Sequence, residues 1–214
     1  MLHRKMLAPS ILIFSLLLQG ALSATDDAGN AVILREFRVG VIAITNSTTP
    51  YDKSLAGAAV DLAFEKVNRD ILNGSYKIAK VQKEYGPYCD ANKAPGLAAE
   101  LYYEENVSAL IGPSCTYALD PVARLASFWN IPIMTGLGDS GRFKNKTDFK
   151  TLTRLAYCQC RLRKVFGSVF AQFKWTDITL IMDRDDTHGL ILGETLDAGM
   201  YFTFINIISF FIKR

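Results

Sequence analysis

One glycine-rich segment has the spacing of a cofactor-binding turn. Residues 136–141 read Gly-Leu-Gly-Asp-Ser-Gly, which matches G-x-G-x-x-G, and they follow a predicted strand. A dinucleotide site also needs a helix that opens at this point, because the helix N–H groups bind the pyrophosphate. Residues 142–147 instead form a polar stretch with a glycosylation sequon. We therefore predict no dinucleotide cofactor here.

The same segment contains Gly138-Asp139-Ser140-Gly141, a pattern typical of serine-protease nucleophiles. The sequence has two histidines, His3 and His188, so the general base would have to be His188. Nothing in the sequence predicts the β-barrel that would hold such a triad. The acidic run at residues 183–186 lacks the spacing of a Ca²⁺ loop. With no His-Glu-x-x-His and no phosphate-binding loop either, we predict that the chain is not an enzyme and holds no metal.

A third set of reactive or polar residues lies between a predicted strand and a predicted helix. The apolar run 107–111 ends at Gly112-Pro113, a pair that stops regular structure. Asp120-Pro121 has the pattern of an N-cap followed by a first-turn proline. Ser114, Cys115 and Tyr117 are therefore expected at the carboxyl end of a buried strand, the edge where parallel sheets bind ligands.

The elements that position this turn alternate between strands and helices. A doubly wound parallel sheet with helices on both faces is the fold class that this alternation predicts. The second strand is more polar and is expected near an edge of the sheet. Apolar runs predict strands at 37–44, 76–85, 107–111, 131–135 and 177–182, and helical periodicity predicts helices at 55–67, 94–103, 121–129 and 160–173.

The two ends of the chain differ from the middle. Residues 1–23 have a positive start, an apolar core and small residues before Ala24, which indicates a secretory signal peptide. Residues 24–36 are interpreted as a linker, 37–199 as the folded lobe and 200–214 as an apolar tail of unknown role. The tail suits a strand better than a membrane span, but the sequence gives it no partner, and we interpret it as a truncated or alternatively spliced end.

Four Asn-x-Ser/Thr sequons agree with export, and all four fall in predicted loops. They begin at Asn46, Asn73, Asn106 and Asn145. The formal net charge is only +3, and the longest basic tract is residues 161–164. No nucleic-acid partner is therefore expected.

Four cysteines allow three complete pairings. In an oxidising compartment Cys89 and Cys115 are good partners, because both follow predicted strands at the same edge of the sheet. Cys158 and Cys160 would lie about 7 Å apart in a strand and point the same way, which disfavours a mutual bond. Their alternatives are a partner outside this chain, an intermolecular bond or free thiols.

The segment 111–132 resembles the extracellular ligand-binding region of natriuretic peptide receptors, within the receptor guanylyl cyclases. The resemblance rests on Ile-Gly-Pro-Ser-Cys-Thr-Tyr at 111–117, on 121–129 and on Ile131-Pro132, and it extends weakly over about 38–189. It implies the first lobe of a type I periplasmic-binding-protein fold, with Cys89–Cys115 as that family's first disulfide. The cyclase domain of the family is absent from this chain.

The resemblance also implies site residues. Ser114 and Cys115 match backbone ligands of a chloride ion, although the family's hydroxyl ligand falls near Gln82 here. Tyr117 matches a tyrosine that contacts peptide hormone, and packing beneath the turn is its alternative. The dimer face of the family matches Tyr103, Leu125 and Phe128, for which burial of the helices against the sheet is the alternative.

The sequence thus predicts an exported, glycosylated receptor lobe at the cell surface, or secreted, that binds a ligand and does not catalyse. A peptide hormone or a small molecule is the expected partner, with a homodimer through this lobe. A ligand cleft would use the strand-end loops 45–51, 112–117 and 136–141. The alternatives are a small-molecule or amino-acid-binding lobe of the same fold, and a non-functional truncated product.

Overall fold

The computed structural model describes most of the region between residues 35 and 183 and short pieces outside it. The expected signal peptide, except Ser23, lies outside the described residues, as do the sequon at Asn73 and His188. The described residues are 23–25, 31–33, 35–72, 76–183, 189, 191–193, 195–196 and 206–212.

The described strands and helices alternate along most of the chain. The strands are β1 (Ser23–Thr25), β2 (Ala31–Ile33), β3 (Arg35–Ile44), β4 (Tyr76–Tyr85), β5 (Ala109–Ile111), β6 (Ile133–Thr135), β7 (Leu152–Arg154), β8 (Asp177–Asp183) and β9 (Asn206–Ile212). The helices are α1 (Lys53–Lys66, continued as a π-helix over Val67–Ile71), α2 (Lys93–Tyr103), α3 (Thr116–Trp129) and α4 (Leu162–Phe173).

Five of these strands form one parallel sheet in the order β4-β3-β5-β6-β7. Strand β3, next to the edge strand β4, pairs with β4 over its whole length and with β5 through Val39–Val41. Its carboxyl half is buried, as the continuous apolar run predicts for a strand with neighbours on both sides. The prediction that β4 lies at an edge is confirmed. The parallel α/β fold class is therefore confirmed.

The strand β7 is missing from the sequence prediction. It has only three residues, and two of them, Thr153 and Arg154, are polar. Leu152 is its one buried side chain. A run this short carries too little apolar signal to be distinguished from a loop.

Helix α3 begins one turn earlier than predicted. Cys115 precedes it in an extended conformation, and the Leu119 amide already bonds to the Cys115 carbonyl at 2.8 Å. The prediction that Asp120 caps the helix is wrong, because its carboxylate accepts hydrogen bonds from Arg124 and Arg142, each at 2.8 Å. Pro121 consequently lies inside the helix rather than at its first position.

A single large cluster of buried side chains holds the five-stranded sheet and its helices together. α2 and α3 supply most of its small residues, whose size lets these helices approach the strands closely. The largest fully buried members are Tyr85, Leu101, Leu110, Leu119, Ile133, Phe143 and Phe149.

A second, two-stranded parallel sheet pairs β8 with β9. The tail thus forms the strand that its composition suggests, and its partner is β8. One face of β8 packs on a small cluster with Phe170 and Leu196. The other face leaves Ile181 and Phe210, which are register partners, 67% and 55% exposed. The prediction that β8 is fully buried is therefore wrong, because β8 is not a member of the large sheet.

Candidate functional site

The loops that follow four parallel strands meet at the carboxyl edge of the large sheet. They surround a cleft of about 470 Å³. Its described lining comes from the β3–α1 loop (46–49 and 51), the segment after β4 (87–89), the turn after β5 (114–116), and Ile44, Leu137 and Ile191. The predicted loops 45–51, 112–117 and 136–141 all contribute to this cleft.

Asp52 fixes the β3–α1 loop against the start of α1. One carboxylate oxygen accepts from the Ser47 amide at 2.8 Å, and the other accepts from the amide and hydroxyl of Ser54 at 2.9 and 2.7 Å. These hydrogen bonds favour the charged form and lower the pKa of Asp52 to about 2. The loop is therefore held by one ionised side chain, which neighbours the lining residue Tyr51 but is not itself among the lining residues.

The turn after β5 is built around Gly112, as the sequence predicts. Its φ is +82°, and a Cβ at this position would collide with the Ile42 carbonyl oxygen. The Gly112 amide bonds to the Met134 carbonyl at 2.8 Å, and the Thr135 hydroxyl donates to the Pro113 carbonyl at 2.9 Å. Two hydrogen bonds thereby attach the turn to the neighbouring strand β6.

A disulfide joins this turn to the segment after β4. It links Cys89 to Cys115 with a Cα–Cα distance of 5.8 Å, the pairing that the sequence favours. Both cysteines line the cleft. The bond therefore closes one side of the cleft covalently.

Cys158 and Cys160 also pair with each other, which overturns our expectation. Their Cα atoms are 5.1 Å apart, less than the span of two strand residues. The reason is that the segment is not a strand: a 3₁₀ turn begins at Gln159, directly after Cys158. The tighter turn brings the two side chains within bonding reach.

A buried carboxylate lies behind the cleft, in the segment that carries the misleading glycine motif. Asp139 is 4% exposed and accepts hydrogen bonds from the Thr116 hydroxyl at 2.9 Å and the Gln159 side chain at 2.5 Å. Arg154 donates to the carbonyls of Gly138 and Ser140, on either side of Asp139. Burial lowers the pKa of Arg154, and the charge of Asp139 opposes that shift. Sequence reasoning missed this role of Asp139, because a lone acid in a loop gives no signal of burial.

The predicted site residues fall into two groups. Ser114 and Cys115 line the cleft, whereas Tyr117 is half-buried in the first turn of α3 and is not among the lining residues. Tyr103 and Phe128 are 66% and 82% exposed, and Leu125 is half-buried. They belong to α2 and α3, away from the strand-end loops.

Aromatic side chains connect these two helices at the surface. Tyr102 stacks on Trp129 with ring centres 4.3 Å apart, and the Trp129 indole donates to the Tyr103 hydroxyl at 3.2 Å. Leu125, Phe128 and Trp129 are spaced at i, i+3 and i+4 and so share one side of α3. We call the set Tyr102, Tyr103, Leu125, Phe128 and Trp129 the aromatic face.

Several lining residues have no counterpart in the predicted site. Tyr88 and Pro87 follow β4, and Ile191 belongs to the region after β8. The Gly86-Pro87 pair, which follows a predicted strand, marks a loop and could have pointed to Pro87 and Tyr88. Nothing in the sequence places Ile191 near the other loops.

Other predicted features lie at the surface or outside the described part of the chain. The described sequon asparagines Asn46, Asn106 and Asn145 are all exposed. The described residues contain no cluster of three or more side chains suited to a metal ion. None of the helices in the described segments is long and apolar enough to cross a bilayer.

Comparison with known proteins identifies the family to which the chain is similar. The family described as "Receptor family ligand binding region" matches residues 55–198. The receptor-type guanylate cyclase gcy-6 of Caenorhabditis elegans is 30% identical over 135 residues, which are 62% of this chain and 12% of that protein. Atrial natriuretic peptide receptor 2 of Homo sapiens is 29% identical over 148 residues, 69% of this chain and 13% of that protein. The chain thus spans about an eighth of the length of these relatives.

A solved structure agrees with the fold. A solute-binding protein of an ABC transporter from R. palustris, in complex with 4-hydroxybenzoate, aligns with a TM-score of 0.60 and 15% identity. The alignment covers 84% of this chain and 47% of the solute-binding protein. At this identity the likeness concerns the fold alone.

The matched segment corresponds to the ligand-binding region of the receptors, and the cyclase domain is not matched. Because the family match covers more than half of the sequence, this chain belongs to the receptor family ligand binding region.

Proposed function

We propose that this chain is the first lobe of an extracellular ligand-binding region, of the type found in receptor guanylyl cyclases, and that it binds its ligand without catalysis. The observation that carries the proposal is the cleft of about 470 Å³ at the carboxyl edge of the parallel sheet, in a chain of this family. Parallel sheets bind ligands at this edge. The cysteine pairs and the exposed sequon asparagines support a location in the secretory pathway and at the cell surface.

A second candidate function is a small-molecule or amino-acid-binding lobe of the same fold. It is favoured by the size of the cleft and by the solved neighbour, which binds the small molecule 4-hydroxybenzoate. A peptide hormone would instead use a larger surface, and Tyr117 on α3 is the residue proposed to contact it.

The aromatic face is proposed as a homodimer contact. Phe128 is 82% exposed and Tyr103 is 66% exposed, in a region where tyrosine, tryptophan and phenylalanine cluster. Protein interfaces are enriched in these residue types. This arrangement supports the dimer face proposed for Tyr103, Leu125 and Phe128.

A chloride ion at the backbone amides of Ser114 and Cys115 completes the proposal. Support comes from the first turn of α3, whose N-cap residue Cys115 makes no side-chain hydrogen bond to the helix. Gln82 is bonded to Lys80 and Glu84, so it is not arranged to replace the family's hydroxyl ligand. A thermal melt in chloride and in gluconate tests this ion. Because bound chloride should stabilise the fold, we expect a higher melting temperature in chloride than in gluconate.

The ligand-binding proposal is tested by affinity selection with the full chain. Purified protein is incubated with a pool of metabolites and peptides, and retained molecules are identified by mass spectrometry. A Leu137→Trp variant, in which the indole occupies the cleft, is the comparison. We expect at least one molecule to be retained by the wild type and lost with Leu137→Trp. Retention that never depends on residue 137 would contradict the proposed site.

A further inference from the structure

The described part of the cleft wall is rich in hydrogen-bonding groups. Among the described residues that line it, none is Asp, Glu, Lys, Arg or His. Its polar side chains are hydroxyls, phenols and one amide, contributed mainly by the β3–α1 loop and the turn after β5. The rest is apolar, with Ile44, Leu137 and Ile191 contributing aliphatic surface.

Some of these polar groups are already used within the protein. The hydroxyls of Ser47 and Thr49 bond to each other at 2.8 Å, and the Thr116 hydroxyl donates to Asp139. In contrast, the side chains of Thr48, Tyr88 and Ser114 make no hydrogen bond to any described residue. Three hydrogen-bonding side chains of the cleft wall therefore remain available to a ligand.

The charged residues Asp52, Asp139 and Arg154 lie next to lining residues, and each is hydrogen-bonded within the protein. Both oxygens of Asp139 accept hydrogen bonds from neighbouring side chains, and the residue is 4% exposed. The Arg154 guanidinium donates to two carbonyl groups of the same loop. An organic ion in the cleft would thus lose water without gaining an oppositely charged side chain among the described lining residues, which is costly. The chloride ion proposed at Ser114 and Cys115 would instead be held by backbone amides, which it would occupy.

We infer that the cleft binds a small, uncharged organic molecule with hydroxyl, carbonyl or amide groups and an apolar body. The inference rests on the proposed function and names the class of ligand for that site. A volume of about 470 Å³ lies within the ~300–1,000 Å³ of small-molecule pockets. Thr48, Tyr88 and Ser114 bind its polar groups, and Leu137 and Ile191 contact its apolar part.

The test is a fragment screen by ligand-observed NMR on the full chain. The library contains equal numbers of neutral, anionic and cationic molecules of similar size. Hits are retested on Leu137→Trp, on Tyr88→Ala and on Ser114→Ala, with Ser168→Ala as a control on the exposed side of α4. Tyr88 is 81% exposed, so Tyr88→Ala should leave the core intact. It therefore still tests the site if Leu137→Trp fails to fold.

We expect neutral fragments to dominate the hits that Leu137→Trp abolishes. Ser114→Ala should weaken them about fivefold by removing one hydrogen bond. Tyr88→Ala should weaken them about tenfold, and Ser168→Ala should have no effect. A majority of anionic or cationic hits that depend on residue 137 would overturn the ligand class while leaving the site in place. If no hit depends on residues 88, 114 or 137, both the ligand class and the cleft as a binding site fail.

Discussion

At the residue scale, Gly112 and Asp52 determine the conformations of two loops that line the cleft. Gly112 has a positive φ that places the following turn against β3. Asp52 binds two amides and a hydroxyl across the β3–α1 loop and the start of α1. Neither residue needs to touch a ligand to control binding, because each fixes the backbone that presents the lining side chains.

Substituting Gly112 should destabilise the protein strongly. An alanine there combines an unfavourable positive φ with a collision against the Ile42 carbonyl, and we expect a loss of about 2–3 kcal/mol in the free energy of unfolding. Chemical denaturation measures it. Gly96→Ala in α2 is the matched control, since a Cβ at residue 96 meets no atom within 4 Å and should not destabilise. Equal stability of the two variants would contradict the proposed role of the turn.

Asp52 should make stability depend on pH in the acid range. Its pKa is about 2 in the folded protein, below the ordinary value of 3.8, so ionised Asp52 stabilises the fold above pH 4. That stabilisation is lost as the pH falls from about 4 to 2. We therefore expect Asp52→Asn to lower the melting temperature at pH 7 and the difference from wild type to shrink towards pH 2.

The control for Asp52 is Asp61→Asn. The Asp61 carboxylate is 60% exposed and forms a surface ion pair with Lys80, so its neutralisation should change the melting temperature little. If the difference in melting temperature between wild type and Asp52→Asn stays constant from pH 7 to pH 2, ionised Asp52 does not stabilise the fold.

At the element scale, long regular elements were predictable from the sequence and short or irregular ones were not. β3 and β4 have ten residues each, and their composition predicts them almost to the residue. The start of α3 was not predictable, because Asp120-Pro121 has the pattern of a helix start and because one partner of Asp120, Arg142, becomes its neighbour only in the folded chain. The Asp139 network, likewise, depends on contacts across 20 and 23 residues.

The aromatic face of α2 and α3 should mediate self-association. Phe128→Glu places a charge at a side chain that is 82% exposed, so it should leave folding intact and prevent the dimer. Sedimentation velocity over a range of concentrations measures the association. Phe173→Glu, at a 62% exposed position on α4, is the control. A wild type that stays monomeric at the highest concentration, or equal effects of both variants, would exclude this face.

At the scale of the whole molecule, the described strands form a five-stranded parallel sheet, the two-stranded parallel sheet β8-β9 and the two-stranded antiparallel sheet β1-β2. The alternation of predicted strands and helices was sufficient to predict the parallel sheet. The turn at 112–117 was sufficient to predict that the cleft lies at its carboxyl edge. The pairing of β8 with β9 was not predictable, because the apolar tail matches any buried strand equally well. The family match ends at residue 198, before β9 begins.

Of the two disulfides, the Cys89–Cys115 bond should contribute more to the free energy of unfolding. It spans 26 residues, and the chain-entropy model gives about 3–4 kcal/mol for a loop of this length. The double variant Cys89→Ser with Cys115→Ser should lose this amount in chemical denaturation. The Cys158–Cys160 bond closes a far shorter loop. The double variant Cys158→Ser with Cys160→Ser should therefore lose less free energy of unfolding. The reverse order would contradict the assignment of the larger role to the cleft disulfide.

The central claim, that the ligand binds at the carboxyl edge of the large sheet, is tested most directly by hydrogen–deuterium exchange. Exchange is measured on the full chain with and without the tightest fragment from the screen. We predict slower exchange in residues 45–51 and 112–117 and unchanged exchange in residues 99–106 and 124–130 of the aromatic face. Protection confined to the aromatic face, with the two cleft loops unchanged, would contradict the claim.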